Sequence, residues 1–357
     1  MNIHLVNGVY NSIYTKKLAN FLVKHFPKEE HLFVLFGGLS SKHTNVVETG
    51  VNVFAIDSVR KFYKLLKMMN QTRRVFVHSL FSAKDILFLT ANPKILKKTM
   101  WIIWGGDLYS YWVSAQHSFK EQIKEKMKAA IVRRVDGVAC LLREDYEFLI
   151  TKYRTSARYH YLFYPNPVDF GLLDNHSNEC SNTAGLQTVL LGNSATWTNN
   201  HFDVLEAMSK VGKASFQILC PLSYGDPEYA KKVIEFGRKL FGDRFIPLTQ
   251  FLSPEEYAKV LASVDVGIFN HNRQQGLGNI LALLYLGKKV YIRDDVTPWK
   301  FFERYGIKVY NTKELISNPD SSIFDFDESI GRKNREIVAR EFSEERAVEL
   351  WKKVFYE

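Results

Sequence analysis

Phe269-Asn270-His271-Asn272-Arg273-Gln274-Gln275-Gly276-Leu277-Gly278-Asn279 is the stretch from which the fold of this chain is read. An apolar run from Val264 to Phe269, with Asp265 as its one charge, leads into it and reads as a buried strand. A helix-period run, Ile280 to Leu286, follows and is closed by Gly287. Strand, glycine-containing loop and helix is the unit with which α/β proteins point backbone N–H groups and a helix N-terminus at a phosphate. Arg273, Gln274 and Gln275 add side-chain donors, and Gly276, Leu277, Gly278 and Asn279 supply the turn into the helix. Taken alone, the same residues equally suit an ordinary strand-to-helix turn.

The same pattern recurs upstream. Thr188 to Leu191 reads as a strand that ends at Gly192-Asn193-Ser194, after which Thr198 or Asn200 caps a helix reaching Met208. Two such loops at strand C-termini share one sheet edge, and the pairing favours a bound ligand. Cys220-Pro221-Leu222-Ser223-Tyr224 also follows a strand. It places Tyr224 on that rim, to stack on a base, bond a phosphate or simply pack. Strands at 187–191, 216–220, 245–246, 264–269 and 289–292 alternate with helices, the clearest at Tyr229–Leu240 and Pro254–Ala262.

Residues 1–165 show the same alternation, with strands at 2–6, 31–36, 51–56, 74–78, 100–104 and 137–142. Repeated βα units predict parallel, doubly wound sheets. The expected division is an N-terminal domain at 1–165, a linker at 166–186 and a second Rossmann-like domain at 187–335. A C-terminal helix, about 336–357, is read as packing back on the first domain, and the tail from Asn334 to Phe355 as one long helix. The binding cleft is expected between the two halves. In the first half, Trp101-Ile-Ile-Trp104-Gly105-Gly106-Asp107 ends a strand at two glycines. Asp107 is there a candidate general base, or a cap of the next turn. His78, also at a strand end, is the second base candidate, whereas His4 lies inside a strand and reads as a core histidine.

Composition narrows the class. The 357 residues suit about two domains, and 46% hydrophobic content supports a sizeable core. Three scattered cysteines, Cys140, Cys180 and Cys220, fit a reducing cytosol rather than a disulfide framework or zinc site. No apolar run spans a membrane, and no signal peptide is expected ahead of the strand at Asn2–Val6. The net charge of +10 is uneven: residues 1–165 hold 25 Lys+Arg against 12 Asp+Glu, residues 166–357 hold 23 against 26. Helices at 60–74 and 119–134 carry much of that excess. In the second, Phe119, Ile123, Met127 and Ile131 repeat among lysines, which suits an anionic membrane surface or a core stripe with solvated lysines. No HExxH, Walker loop or GxSxG elbow is present, and no D-x-D triplet suits a divalent metal–diphosphate clamp.

The segments Trp101–Tyr109, Val189–Ser194 with Asn200-His201, Phe269–Gly278, Phe76-Val-His78 and Tyr164-Pro165 resemble glycosyltransferase family 56 in order and spacing. That family contains the dTDP-4-acetamido-4,6-dideoxygalactose (Fuc4NAc) transferase of enterobacterial common antigen synthesis. The resemblance implies a GT-B fold, two Rossmann-like domains facing across a cleft. It also implies a peripheral enzyme on the cytoplasmic face of the inner membrane, a dTDP-amino-dideoxy sugar donor and an undecaprenyl-diphosphate glycan acceptor. The family's donor site falls in the second half, with Asn193, Ser194, Gln274, Gln275, Gly276 and Gly278 near the diphosphate and sugar and Gly192 opening the same turn, and the acceptor side falls on the first half. No metal or other cofactor is expected, in keeping with the lack of a D-x-D triplet suited to a metal–diphosphate clamp. Where many retaining GT-B enzymes carry a Glu, this loop has Asn270, Asn272 and Gln274, so that role is not carried over and the stereochemistry stays open. The alternatives are a GT-B nucleotide-sugar epimerase and, from another class, a nucleic-acid-binding protein using the basic half; no nucleic-acid motif supports the latter.

Overall fold

A computed structural model describes residues 1–7, 9, 12–36, 48–114, 116–165, 169–177, 185–212 and 215–357. The chain forms two units, Met1–Pro167 with Glu344–Glu357, and Val168–Ser343.

The first unit is built on seven parallel strands: β1 (Asn2–Leu5), β2 (His31–Phe36), β3 (Asn52–Ile56), β4 (Arg74–His78), β5 (Thr99–Ile102), β6 (Gly137–Cys140) and β7 (Arg158–Tyr161), in the order β3-β2-β1-β4-β5-β6-β7. Helices join them, four begun by a side chain that accepts an orphan N–H: Ser12, Ser58, Ser82 and Ser118 do this, the last in a capping box with Glu121. The sheet's central strands are mostly apolar, with Phe33, Phe76 and Trp101 fully buried, and they also bury His4, His31 and His78. The tail is two helices rather than the single one expected. Glu328–Glu341 belongs to the second unit, and after Phe342-Ser343 the chain resumes as Glu344–Tyr356 on the first. Trp351 and Phe355 seat that last helix on Phe76, and Arg74 donates to the Val354 carbonyl at 2.8 Å.

The stripe on the helix Phe119–Val132 is split. Ile131 is buried and Met127 half-buried, but Phe119 and Ile123 stand in solvent, 75% and 43% exposed. Lys128 is not on the surface. It is buried, donates to the Asp107 carbonyl at 2.9 Å and pairs with Glu125 at 2.6 Å.

The second unit holds six parallel strands: β8 (Gln187–Leu191), β9 (Phe216–Pro221), β10 (Phe245–Leu248), β11 (Val266–Phe269), β12 (Lys289–Ile292) and β13 (Tyr310–Asn311), ordered β10-β9-β8-β11-β12-β13. The stretch expected as linker contains a helix, Phe170–Ser177. It docks by stacking Phe170 on Tyr285 with centroids 3.9 Å apart and by a 2.7 Å bond between His176 and Glu255. Residues 166–168 and 178–184 of that linker lie outside the described residues.

Both sheets reverse direction once. The chain winds outward from β1 to β3 and then from β4 to β7; in the second unit it winds from β8 to β10 and then from β11 to β13. The switch points therefore lie between β1 and β4 and between β8 and β11, where open α/β sheets bind ligands outside the strand C-termini.

Candidate functional site

The second switch point brings together the loops that follow β8 and β11. Gly192 leaves β8 at φ 69°, and a β-carbon there would lie 2.7 Å from His201 Nε2 and 2.8 Å from Asn199 Oδ1. Any side chain would displace His201 and Asn199, a few residues further along the same segment. The opposite loop has the matching feature: Gly276 has φ 67°, and a β-carbon would fall 2.8 Å from His271 Cε1.

A closed polar network locks the loops. Gln275 Nε2 donates to Asn193 Oδ1 at 2.9 Å and to Ser194 Oγ at 3.1 Å, while its Oε1 accepts from the Thr198 hydroxyl at 2.7 Å. Asn193 in turn donates through Nδ2 to the Tyr224 hydroxyl at 2.7 Å, and its N–H donates to Asn199 Oδ1 at 3.0 Å. His271 lies 2.9 Å from Asn199 Oδ1 and 3.0 Å from the Gln275 carbonyl, two acceptors of which a neutral ring donates to one. Burial pushes His271 down to about 3 and His201 to about 3, so both rings are neutral at pH 7. Asn270 accepts from the Thr312 hydroxyl at 2.8 Å.

These bonds redirect some expected donors. The amides of Gln275 and Asn193 and the hydroxyl of Ser194 are spent on each other, inside the protein. Arg273 donates to the Gln274 carbonyl at 2.9 Å. Asn279 does not join the group: its Nδ2 donates to Tyr257 on the neighbouring helix at 2.9 Å. Leu277 is buried among core residues.

What remains to meet a ligand is backbone and a few orphaned atoms. The helix Leu277–Tyr285 starts at Gly276 with no side chain capping it, so its first N–H groups carry the partial positive charge of a helix N-terminus. Around it, Asn270 Nδ2, Asn272 Oδ1, Gln274 Oε1 and His201 Nε2 are buried without a partner. Such groups are rare in a finished core and point to a missing binding partner. Tyr224 and the sequence-unmarked Phe251 flank the site, both exposed. No cluster of His, Cys, Asp or Glu suited to a metal occurs among the described residues.

The first switch point is organised differently. Asp107 is buried, and its Oδ2 accepts from the Leu80 N–H at 2.9 Å and Trp101 Nε1–H at 2.8 Å, its Oδ1 from the Trp104 N–H at 2.9 Å. Burial pushes its carboxyl up, and these three donors with Lys128 pull it back. That is the arrangement of a carboxylate that holds a turn, the second of the two readings open in the sequence. His78 is fully buried too. Its Nδ1 receives the Tyr164 hydroxyl and its Nε2 meets His4 Nδ1 at 2.9 Å; His4 Nε2 meets His31 Nδ1 at 3.0 Å. Passing one N–H along this chain satisfies every link with neutral rings. Neither ring nitrogen of His78 is open to a substrate. His4, expected as a core residue, is the middle of the chain.

Sequence reasoning missed one acid here. Ser82 caps the helix Ala83–Ala91 by accepting from the Asp85 N–H, Asp85 Oδ1 accepts from Asn7 Nδ2 at 2.6 Å, and burial raises the Asp85 carboxyl to about 7. A Ser82-x-x-Asp85 capping pattern was the available signal.

The chain was compared with known proteins. A family model described as 4-alpha-L-fucosyltransferase glycosyl transferase group 56 matches residues 13–344. Among solved structures, Anabaena HepE in complex with UDP and glucose superposes with a TM-score of 0.73 at 12% identity, over 99% of this chain and 98% of that one. Sucrose-phosphate synthase from Thermosynechococcus elongatus gives 0.70 at 12% identity, over 99% and 98%. WaaG, a glycosyltransferase involved in lipopolysaccharide biosynthesis, gives 0.61 at 10% identity, over 99% and 98%. At such identities the likeness establishes the fold, and that fold is GT-B.

Proposed function

This chain belongs to glycosyltransferase group 56 and is a glycosyltransferase, and from that premise we propose its donor, its acceptor and its place in the cell. The donor is a nucleotide sugar, a dTDP-linked 4-acetamido-4,6-dideoxyhexose. The acceptor is an undecaprenyl-diphosphate-linked oligosaccharide of a bacterial surface polysaccharide, common antigen or O-antigen.

The observation that carries the donor reading is the pairing of a helix N-terminus at Gly276, which no side chain caps, with the Gly192–Ser194 turn. Such a site offers fixed dipoles to a diphosphate. As the glycosidic bond to the leaving phosphate breaks, negative charge grows on the diphosphate, and donors already in place stabilise it without reorganising. The network through Gln275 holds those donors still. Backbone N–H groups and helix dipole do here what a divalent ion does elsewhere, so the proposed site is metal-independent, and turnover should persist in excess EDTA. Asp107 enters as a positioning residue that fixes the turn after β5.

The membrane reading rests on the first unit. Its helices Phe119–Val132 and Ala83–Ala91 pack on each other and leave Phe119, Ile123 and Leu87 exposed beside Lys120, Lys124 and Lys84. Apolar side chains set among lysines suit the surface of an anionic bilayer. Among the described residues no helix is long and apolar enough to cross a membrane.

A thermal-shift series with dTDP, UDP, GDP and their sugars tests the donor. A ligand that binds only the native state raises its melting temperature. A larger shift with dTDP than with UDP or GDP is expected; no shift with any of them would remove the proposal.

A further inference from the structure

Phe251 follows β10 in the loop Thr249-Gln250-Phe251-Leu252 and is 76% exposed, a large apolar ring with almost nothing covering it. Its plane lies within 14° of the ring of Tyr224, with centroids 6.2 Å apart, and Tyr224 is itself 49% exposed. The pair thus presents two nearly parallel aromatic faces to solvent at the rim of the second sheet.

Tyr224 is not there by chance of a mobile loop. Its carbonyl accepts from the Ala195 N–H at 2.7 Å, and Asp226 N–H donates to the Ala195 carbonyl at 2.7 Å. That approach needs Gly225, whose φ is 119° and where a β-carbon would sit 2.4 Å from the Ala195 oxygen. The Tyr224 hydroxyl accepts from Asn193, which Gln275 holds. The loop bearing Phe251 is tied on in turn, by the Leu222 N–H donating to the Leu248 carbonyl at 2.8 Å. A cavity of about 510 Å³ adjoins Tyr224, bordered by Ser223, Asp226, Lys231 and Thr249. It falls within the roughly 300–1,000 Å³ usual for small-molecule sites.

We infer that Tyr224 and Phe251 form the stacking platform for the nucleobase of the donor. The inference rests on the nucleotide-sugar reading and deepens it by assigning the base to one place. A planar heterocycle gains from apolar and π contact with either ring, whichever base it is. The route from base to phosphate then runs along Tyr224, Asn193 and the Gly192–Ser194 turn. The hydrogen bond from Asn193 to Tyr224 makes the two halves of the nucleotide site one rigid piece. This explains an aromatic residue left in water: its apolar face is covered when the nucleotide is bound.

The test is calorimetric titration of dTDP, UDP and inorganic pyrophosphate into the full chain and into Phe251→Ala, Phe251→Trp and Tyr224→Phe. Phe251→Ala is expected to weaken dTDP and UDP by roughly tenfold or more, from typical base-stacking losses, and to leave pyrophosphate within twofold. Phe251→Trp, which keeps a ring, should bind dTDP within about threefold of the parent, and Tyr224→Phe, which keeps the ring but takes the hydroxyl from Asn193, should lose more. Since Phe251 is exposed, an unchanged melting temperature of the ligand-free variant is expected. If the parent binds dTDP and Phe251→Ala binds it equally well, the platform is wrong while the donor site stands. Equal weakening of dTDP and pyrophosphate would also overturn it, because Phe251 would then act through the loop. If the parent binds no nucleoside diphosphate, the donor reading falls and the platform with it.

Discussion

Gln275 Nε2 lies 2.9 Å from Asn193 Oδ1, a hydrogen bond between residues 82 positions apart that closes the two loops at the β8–β11 switch point. Both residues are nearly buried, so the bond is shielded from water and each partner depends on the other for satisfaction.

Replacing Gln275 with Ala should therefore cost stability and donor affinity together. Thr198, Asn193 and Ser194 lose partners, a penalty of about 2–4 kcal/mol, readable as a fall in urea midpoint. Nucleoside diphosphate binding should weaken at least tenfold. Gln275→Glu should be worse for binding, since it sets a carboxylate near an incoming diphosphate. Wild-type affinity in both variants would break the link between network and site.

Asp107→Asn separates structure from chemistry. If the carboxylate holds the turn, the amide cannot accept from all three of Leu80, Trp101 and Trp104, and stability should fall by about 2–3 kcal/mol. Any loss of activity should then track the loss of folded protein. A variant with full stability and no turnover would instead mark Asp107 as the base.

The histidine chain predicts how stability depends on pH. His78 is pushed down to about 3 and His31 to about 4, chiefly by burial. His4 lies well below its ordinary value for the same reason, helped by the two neighbouring rings. Unfolded, each titrates near 6.5. Between those values the unfolded chain binds more protons than the folded one. Stability is therefore full above about pH 6.5 and is lost as pH falls toward 4, by up to about 1.4 kcal/mol per pH unit for each ring. The three rings titrate as a set. Urea midpoints at pH 7.0 and 5.0 should differ clearly; equal midpoints would mean the rings take up protons in the fold as readily as in the unfolded chain.

On the first unit, Phe119→Asp with Ile123→Asp should abolish binding to vesicles containing phosphatidylglycerol while leaving the melting temperature unchanged, both side chains being exposed. Binding by the unaltered chain should weaken with added salt, because screening reduces the attraction of lysines to anionic lipid. Undiminished binding of the double variant would move the contact elsewhere.

Much of this was legible along the chain. The βα alternation gave two doubly wound sheets, and the strands at 187–191 and 289–292 begin and end where the sequence pattern puts them. The Gly192 and Gly276 turns were marked by residue type. The helix Phe170–Ser177 was not, because its docking depends on Tyr285, far along the chain and invisible to local periodicity. Phe251 carried no signal for a similar reason: one aromatic in a loop is unremarkable until its ring is found parallel to Tyr224. The break at Phe342-Ser343, which assigns the two tail helices to different units, also follows from packing rather than propensity.

The sequence by itself determined the strand-loop-helix units and the edge on which their loops lie. Alternation of apolar runs and the conformational freedom of glycine are local properties, and local properties survive without a fold. Only the tertiary structure decided what each polar side chain does. Gln275 turns inward to Asn193 and Ser194, Asp107 to three N–H donors, and His78 to Tyr164 and His4, because a buried polar group must be satisfied by whatever the fold brings within 3 Å. Those partners come from elsewhere in the chain, up to 86 positions away for His78 and Tyr164, and residue type alone does not choose among them.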